Sequence, residues 1–407
     1  MARADQGQFE FEPDSSIDAA ASEPRTCRVA GLFAGIGGLE FGLASNGHTT
    51  KILCEIDPSA QAVLMHHKKF RSVPIISDVR ALHRIGDVDL LTAGFPCQDL
   101  SQAGKTRGLE GKNSGLIHAV FEILERNEIP EVLLENVPFM LRLSKGGVME
   151  TILSRLEQLD YKWAYRLIDA QAFGLPQRRQ RVFIFASKDR DPRTILLGGK
   201  ERRPPPSAWN PELHAAGFYW TEGNRGIGWA VDSLPTLKGG STVGIPSPPA
   251  ALLPDGRVVT PTIEAAERLQ GFPRNWTRPA AAVGRGSLRW KLVGNAVNVR
   301  VSAWLGDRLA RPVPYDGIGA HPLPDNSPWP TSAWCLEPGR RWTCAASGPY
   351  PANDRRRTGL LRFLRDEHRP LSEKALRGFY TRLERSTLRS DPRFREGLAR
   401  ALDRRQS

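Results

Sequence analysis

The chain has 407 residues, with 57 Lys+Arg against 44 Asp+Glu, a net charge of +13 and 40% hydrophobic residues. That length suggests two or three domains with room for a large core, and that composition excludes a wholly disordered chain. No apolar run approaches the ~18–20 residues of a membrane span, no charged-apolar-small signal segment opens the chain, and Cys27, Cys54, Cys97, Cys335 and Cys344 form neither a CxxC pair nor a zinc-type cluster. These features point to a reducing, cytoplasmic setting without a structural metal or a membrane.

The charge is unevenly spread. Residues 1–177 carry −5, residues 178–311 carry +11, residues 312–353 carry −1 and residues 354–407 carry +8. An acidic first part joined to a basic middle suits a chemical domain beside one that binds a polyanion. Residues 1–26 are acidic and poor in aliphatics, and read as a disordered leader. CRVAGLF (27–33) reads as a buried strand, followed by a glycine turn and a helix that Gly47 ends. KILCEID (51–57) reads as a second strand, with Pro58 opening the next helix. VPII (73–76), VDLLTAG (88–94), EVLLEN (131–136) and RVFIFAS (181–187) read as further strands. HAVFEILERN (118–127) and METILSRLEQLD (149–160) read as helices. This alternation implies a parallel sheet with helices on both faces. Residues 202–261 are rich in Pro, Gly and Trp with weak periodicity, as expected of a loop-rich second domain. Helical patterns return at 261–271 and 295–310. A Trp-rich extension, 312–353, precedes two helical stretches from Arg357 onward, whose apolar positions suggest a buried face.

Several residues sit where open sheets keep their chemistry, at strand C-termini. Gly35-Ile36-Gly37-Gly38 joins a strand to a helix, so a ligand can approach the backbone at a helix N-terminus. Glu55, Asp57 and Asp78 follow the next two strands, where an acidic side chain can hold ribose hydroxyls. Cys97 follows Pro96 after the strand ending at Gly94, with Lys105 and Arg107 close by in sequence. That setting favours the thiolate, the nucleophilic form. Glu135 closes the neighbouring strand and is either a satisfied carboxylate or an acid/base. Arg178, Arg179 and Arg181 alternate into a strand and could anchor a phosphate or a base edge, or be surface charge.

In order and wording these pieces resemble the DNA (cytosine-5) methyltransferase family. The matching segments are GLFAGIGGLE (31–40), CEID (54–57), SDVR (77–80), AGFPCQDLSQAGK (93–105), LLENV (133–137), FGLPQRRQRVFIFA (173–186), ERLQGFP (267–273) and KLVGNAVNV (291–299). The resemblance covers roughly residues 27–310. It implies an α/β fold: a Rossmann-like S-adenosylmethionine-dependent methyltransferase domain, a smaller irregular target-recognition domain and a helical C-terminal extension. The expected divisions are a catalytic domain at 27–188 completed by 291–311, a recognition domain at 189–290 and the extension at 312–407.

The resemblance also implies roles. Phe33, Gly35, Gly37, Gly38, Val79 and Pro96 would line the S-adenosylmethionine site. Glu55 would hold the ribose, Ile56 would pack on adenine and Asp78 would face its amino group. Asn295 and Val297 would close the pocket from the far end of the chain. The family often has Asp where this chain has Gly31. Cys97 would attack carbon 6 of cytosine, Glu135 would serve ring nitrogen 3, Arg181 would contact the ring carbonyl and Arg179 would support the loop. A water would take the carbon-5 proton, and no metal would be required. The target base must leave the duplex, and the loop 95–112 would close over it. Gln98, Ser101, Lys105 and Lys238 are the expected DNA contacts, with 235–249 as the base-reading stretch. The expected partners are double-stranded DNA and cognate restriction or phage-defence proteins of a bacterium, with the chain itself a monomer. The alternatives are a tRNA cytosine-5 methyltransferase and a catalytically silent DNA-binding homologue.

Overall fold

The computed structural model describes residues 23–95, 115–202, 204–205, 208–222, 228–240, 248–344 and 347–404. Most of the expected leader lies outside the described residues, as do Pro96, Cys97, Gln98, Ser101, Lys105 and part of 235–249.

The apolar runs of the first part form strands β1 (Arg28–Leu32), β2 (Thr49–Cys54), β3 (Ile75–Ile76), β4 (Leu90–Ala93) and β5 (Glu131–Asn136). They pair in parallel in the order β5-β4-β1-β2-β3. The helices between them start and stop on local signals. Gly47, at φ 85°, ends the turn after the helix Gly38–Leu43. Asp57 accepts from Ser59 N and Pro58 takes the first turn of the helix Pro58–His66. Asn298 caps Val299–Ala310 by accepting from the Arg300 and Val301 amides, so this helix begins at Val299 rather than Asn295.

The other half of the sheet differs from the all-parallel expectation. Strands β6 (Lys162–Asp169) and β8 (Gln180–Ser187) run antiparallel to each other, and β8 runs antiparallel to β5. Only residues 170–179 join β6 to β8, including the short strand β7 (Gln177–Arg178). That is too short for the crossover a parallel pair needs. β6 carries no strand signal in the sequence because it is buried almost throughout and includes Arg166. Arg166 is satisfied by the carbonyls of Gly348 and Leu196, each at 2.8 Å, and by Glu201.

A second sheet gathers short strands from the Pro/Gly/Trp-rich segment. These are β9 (Ala216–Phe218), β10 (Trp229–Val231), β12 (Ala250–Leu252) and β13 (Val258–Pro261). β11 (Leu234–Pro235) pairs instead with β7 and ties this region to the connection between β6 and β8. The first part of the expected helical extension, 312–353, forms strands instead. Its strands β14 (Ala320–Pro322), β15 (Ser332–Glu337) and β16 (Arg340–Cys344) continue the large sheet past β6, to ten strands. Trp334 and Trp342 stack across β15 and β16, and Arg341 pairs with Glu150 and Glu157 on the helix Gly147–Gln158.

The tail completes the second sheet. Strand β17 (His368–Pro370) pairs with β13, and the helices Glu373–Glu384 and Pro392–Asp403 bury Leu376, Phe379, Leu383, Phe394 and Leu398 against it. The Phe379 ring stacks on Phe218 at 4.4 Å. The tail is therefore part of a core and not a solvated appendage. Phe379→Ala, measured by urea unfolding, should cost about 3–5 kcal/mol through lost burial and the cavity left behind.

Candidate active site

The turn after β1 is held in left-handed backbone. Phe33, Gly35 and Gly37 have φ of 53°, 56° and 80°. A non-glycine residue there costs of order 1–3 kcal/mol and persists where surrounding structure demands it. A side chain at Gly35 would meet nothing within 4 Å, so open space lies above that backbone. A Cβ on Gly38 would collide with the Val297 carbonyl, so the returning chain packs directly on the turn. Trp276 adds a brace, its Nε1 donating to Ile36 O at 3.0 Å.

The acidic residues around this turn have distinct surroundings. Glu55 is buried, and its two oxygens accept from Gly35 N at 2.6 Å and Asp57 N at 2.7 Å. Burial pushes its carboxyl above the usual carboxylate range, and these amides oppose that rise. Ile56 beside it is 66% exposed, which is unusual for so large an apolar side chain. Asp78 is more open: it accepts from Arg80 N and pairs with the Arg80 guanidinium at 2.6 Å, which lowers its pKa. Val79 is buried beneath it. Asn295 is exposed at the end of the helix Leu288–Asn295, and its side chain lies against Gly239.

Gly31 explains a carboxylate that sequence reasoning missed. A Cβ on Gly31 would collide with Oε1 of Glu40. Glu40 reaches back from the helix Gly38–Leu43 into that space and accepts from Thr92 Oγ1 at 2.8 Å. Its Oε2 is buried and has no hydrogen-bond partner among the described residues. Burial pushes its pKa up to about 7. In the sequence Glu40 passes for an ordinary first-turn acid; the signal was the absent side chain at residue 31.

The end of β5 lies across from this turn. Glu135 is buried, and its Oε1 pairs with Arg181 Nε at 2.9 Å. Its Oε2 lies 3.4 Å from where a Cβ on Gly94 would sit, and Val297 Cγ2 lies 3.7 Å from the same point. The Glu135 carboxyl therefore faces the end of β4, where the chain departs toward Cys97. Burial raises its pKa, with Arg181 and Arg179 opposing. Burial likewise lowers that of Arg181. Asn136, also missed as a site residue, donates from Nδ2 to Phe95 O at 3.1 Å and anchors the last described residue before residues 96–114.

Arg179 is wholly buried and bonded to backbone carbonyls. Its guanidinium donates to the carbonyls of Leu237, Gly294 and Ala296 at 3.0, 3.2 and 2.7 Å. Lys238 is the one expected DNA contact among the described residues. It pairs with Glu222 at 2.9 Å and lies 4.3 Å from the centre of the Tyr219 ring. The four described cysteines are all buried, and burial pushes Cys27 up to about 11 and Cys54 and Cys335 up to about 12. Such thiols stay protonated near neutrality and are poor nucleophiles. Among the described residues no group of His, Cys, Asp and Glu could hold a metal ion, and no helix is long and apolar enough to cross a membrane.

The sheet and the residues along its edge define a Rossmann-like methyltransferase fold. A family model described as C-5 cytosine-specific DNA methylase matches residues 27–213. Over 390 residues the chain is 43% identical to Type II methyltransferase M2.BsuMI of Bacillus subtilis (strain 168), covering 93% of this chain and 98% of that one. It is 37% identical to Type II methyltransferase M.MspI of Moraxella sp over 158 residues, 38% of this chain and 37% of the relative. The chain belongs to the C-5 cytosine-specific DNA methylase family.

The buried Glu40 makes stability depend on pH. Its carboxyl keeps a proton up to about pH 7 when folded but releases it near 4.5 when free. Its contribution is therefore full below 4.5 and is lost as pH rises through 7. Relative to Glu40→Gln, the wild type should lose on the order of 3 kcal/mol across that window, read from urea melts at about pH 4 and pH 8.

Proposed function

We propose that this chain transfers a methyl group from S-adenosylmethionine to carbon 5 of a cytosine in double-stranded DNA, with the base turned out of the duplex and held by Cys97. The observation that carries this reading is the buried Glu135–Arg181 pair facing the end of β4, directly upstream of Cys97 in the chain. The residues around the turn fit the cofactor. Gly35 leaves open space, Ile56 offers an exposed apolar surface for an adenine ring, and Glu55 keeps unused lone pairs for ribose hydroxyls beyond its two backbone amides. Asp78 would accept from the adenine amino group by yielding part of its pairing with Arg80. Val297 closes the pocket between the glycine turn and Glu135. Glu40 would supply the carboxyl that Gly31 lacks, its unpartnered Oε2 being free to accept from the amino group of the methionine portion.

Carbon 5 of cytosine is too weak a nucleophile to take a methyl group unaided. The Cys97 thiolate adds to carbon 6, and the displaced electron pair moves toward carbon 5 and ring nitrogen 3. Glu135 holds a proton at nitrogen 3, and its burial favours the protonated carboxyl. Arg181 donates to the ring carbonyl oxygen while remaining paired with Glu135. Bound S-adenosylmethionine supplies the electrophilic methyl carbon. A water then removes the carbon-5 proton, the carbon–sulfur bond to Cys97 breaks, and the ring regains its aromaticity.

Phosphate contacts from the basic 178–311 segment make binding salt-dependent. The relative that spans the chain is named a Type II methyltransferase, which supports a protective role in a restriction-modification system. Cys97→Ala should abolish transfer of labelled methyl to DNA while calorimetric binding of S-adenosylhomocysteine survives. A duplex carrying 5-fluorocytosine at the target, where the proton step is blocked, should become covalently attached to the wild type alone. Full activity in the variant would overturn the mechanism. Glu40→Ala should weaken S-adenosylhomocysteine binding roughly tenfold, the loss of one charge-assisted hydrogen bond. Gly31→Asp should restore that binding in the Glu40→Ala background, where only the Leu53 methyl must give way, and impair it in the wild type, where the Glu40 carboxyl also collides.

A further inference from the structure

The tail brings six arginines together, and an acid answers only one of them among the described residues. A cavity of about 380 Å³ is lined by Arg268, Arg300, Arg356, Arg357, Arg362 and Arg365, with Thr358 and Phe363. Three separate parts of the chain contribute: the helix Ile263–Leu269, the first turn of the helix Val299–Ala310 and residues 356–365 of the tail. The tail backbone is pressed into place there, since a Cβ on Gly174 would collide with the Arg356 carbonyl. Arg268 lies over the Phe363 ring, 4.4 Å from its centre, and pairs with Glu367, which also takes Arg274. Among the described residues no carboxylate pairs with the other five arginines. Arg300 donates to Phe173 O at 3.0 Å and Arg357 to Pro204 O at 3.0 Å. Burial, together with the nearby Arg355 and Arg268, lowers the pKa of Arg300, as expected of an uncompensated cluster.

We propose that this cavity is a phosphate-binding groove that grips the DNA backbone away from the flipped base. The inference rests on the proposed function, since the polyanion is that enzyme's substrate. Guanidinium forks match phosphate oxygens bidentately. Five guanidiniums without a carboxylate exceed what one phosphate group of charge about −2 neutralises, whereas successive phosphates of a strand supply one negative charge each. The groove shares no residue with the Glu135–Arg181 face, so it contributes affinity and not chemistry. It also gives the +8 tail a purpose beyond completing the second core.

The test compares the wild type with the Arg356→Gln, Arg362→Gln, Arg365→Gln triple variant, all three side chains being exposed. The probe is a fluorescent random-sequence duplex of about 40 base pairs, titrated across salt concentrations. Removing one arginine–phosphate pair flattens the log K against log salt slope by about 0.9, so the triple variant should flatten it by about 2–3. Its urea midpoint and its affinity for S-adenosylhomocysteine should match the wild type. Should the triple variant prove unstable, Arg362→Gln alone should flatten the slope by about 1. An unchanged slope in a folded variant overturns the groove while leaving the proposed function standing. A wild type that fails to bind any duplex overturns both. Inorganic phosphate that raises the melting temperature of the wild type but not of the variant, with equal DNA slopes, would make this a small-anion pocket and overturn the proposal.

Discussion

One buried guanidinium holds the parts of this molecule in register. Arg179, between β7 and β8, donates to the carbonyls of Leu237, Gly294 and Ala296. Those bonds join the large sheet to the second region and to the returning chain in front of the helix Val299–Ala310. A charge so deeply buried is costly, and burial drives its pKa down. It is tolerable because carbonyl dipoles converge on it, with Glu135 close enough to contribute. The residues it positions are ones the proposed site uses. Ala296 precedes Val297, which touches the glycine turn, and Gly294 abuts the backbone of Lys238.

The carboxyl edge of the parallel strands shows a related economy. Glu40, Glu55 and Glu135 are all buried there, and burial raises the pKa of each. Each meets a different partner: a threonine hydroxyl for Glu40, backbone amides for Glu55 and a guanidinium for Glu135. The same desolvation therefore leaves carboxyls with different unused capacity. Glu40 keeps an unpartnered oxygen, Glu55 braces the turn and Glu135 is held by Arg181. Perturbed groups gathered at one edge of a sheet are what catalysis and cofactor binding require.

The five parallel strands and their capping residues were legible because each is written in a short local string. Asp57-Pro58 opens a helix and Gly47 closes one through rules that need only a few neighbours. The site motifs were legible for the same reason, since glycine, glutamate and arginine positions at strand ends are contiguous in sequence. Strand β6 and strands β14 to β16 were not. β6 is buried almost throughout and includes Arg166, which erases the alternation that marks a strand, and β14 to β16 are short runs set among prolines and tryptophans. The second core was hidden because its halves, 216–261 and 368–402, are joined only by space.

By itself, the sequence determined the alternation that builds the parallel strands, the turn chemistry at their ends and the order of the motifs, because these depend on interactions within a few residues. Only the tertiary structure decided which groups meet. Glu40 fills the space that Gly31 leaves, Val297 lies between the glycine turn and Glu135, and a basic tail becomes part of a core while lining an arginine groove. These pairings join residues from 9 to more than 250 positions apart and follow from packing volume and buried charge, which no local pattern encodes.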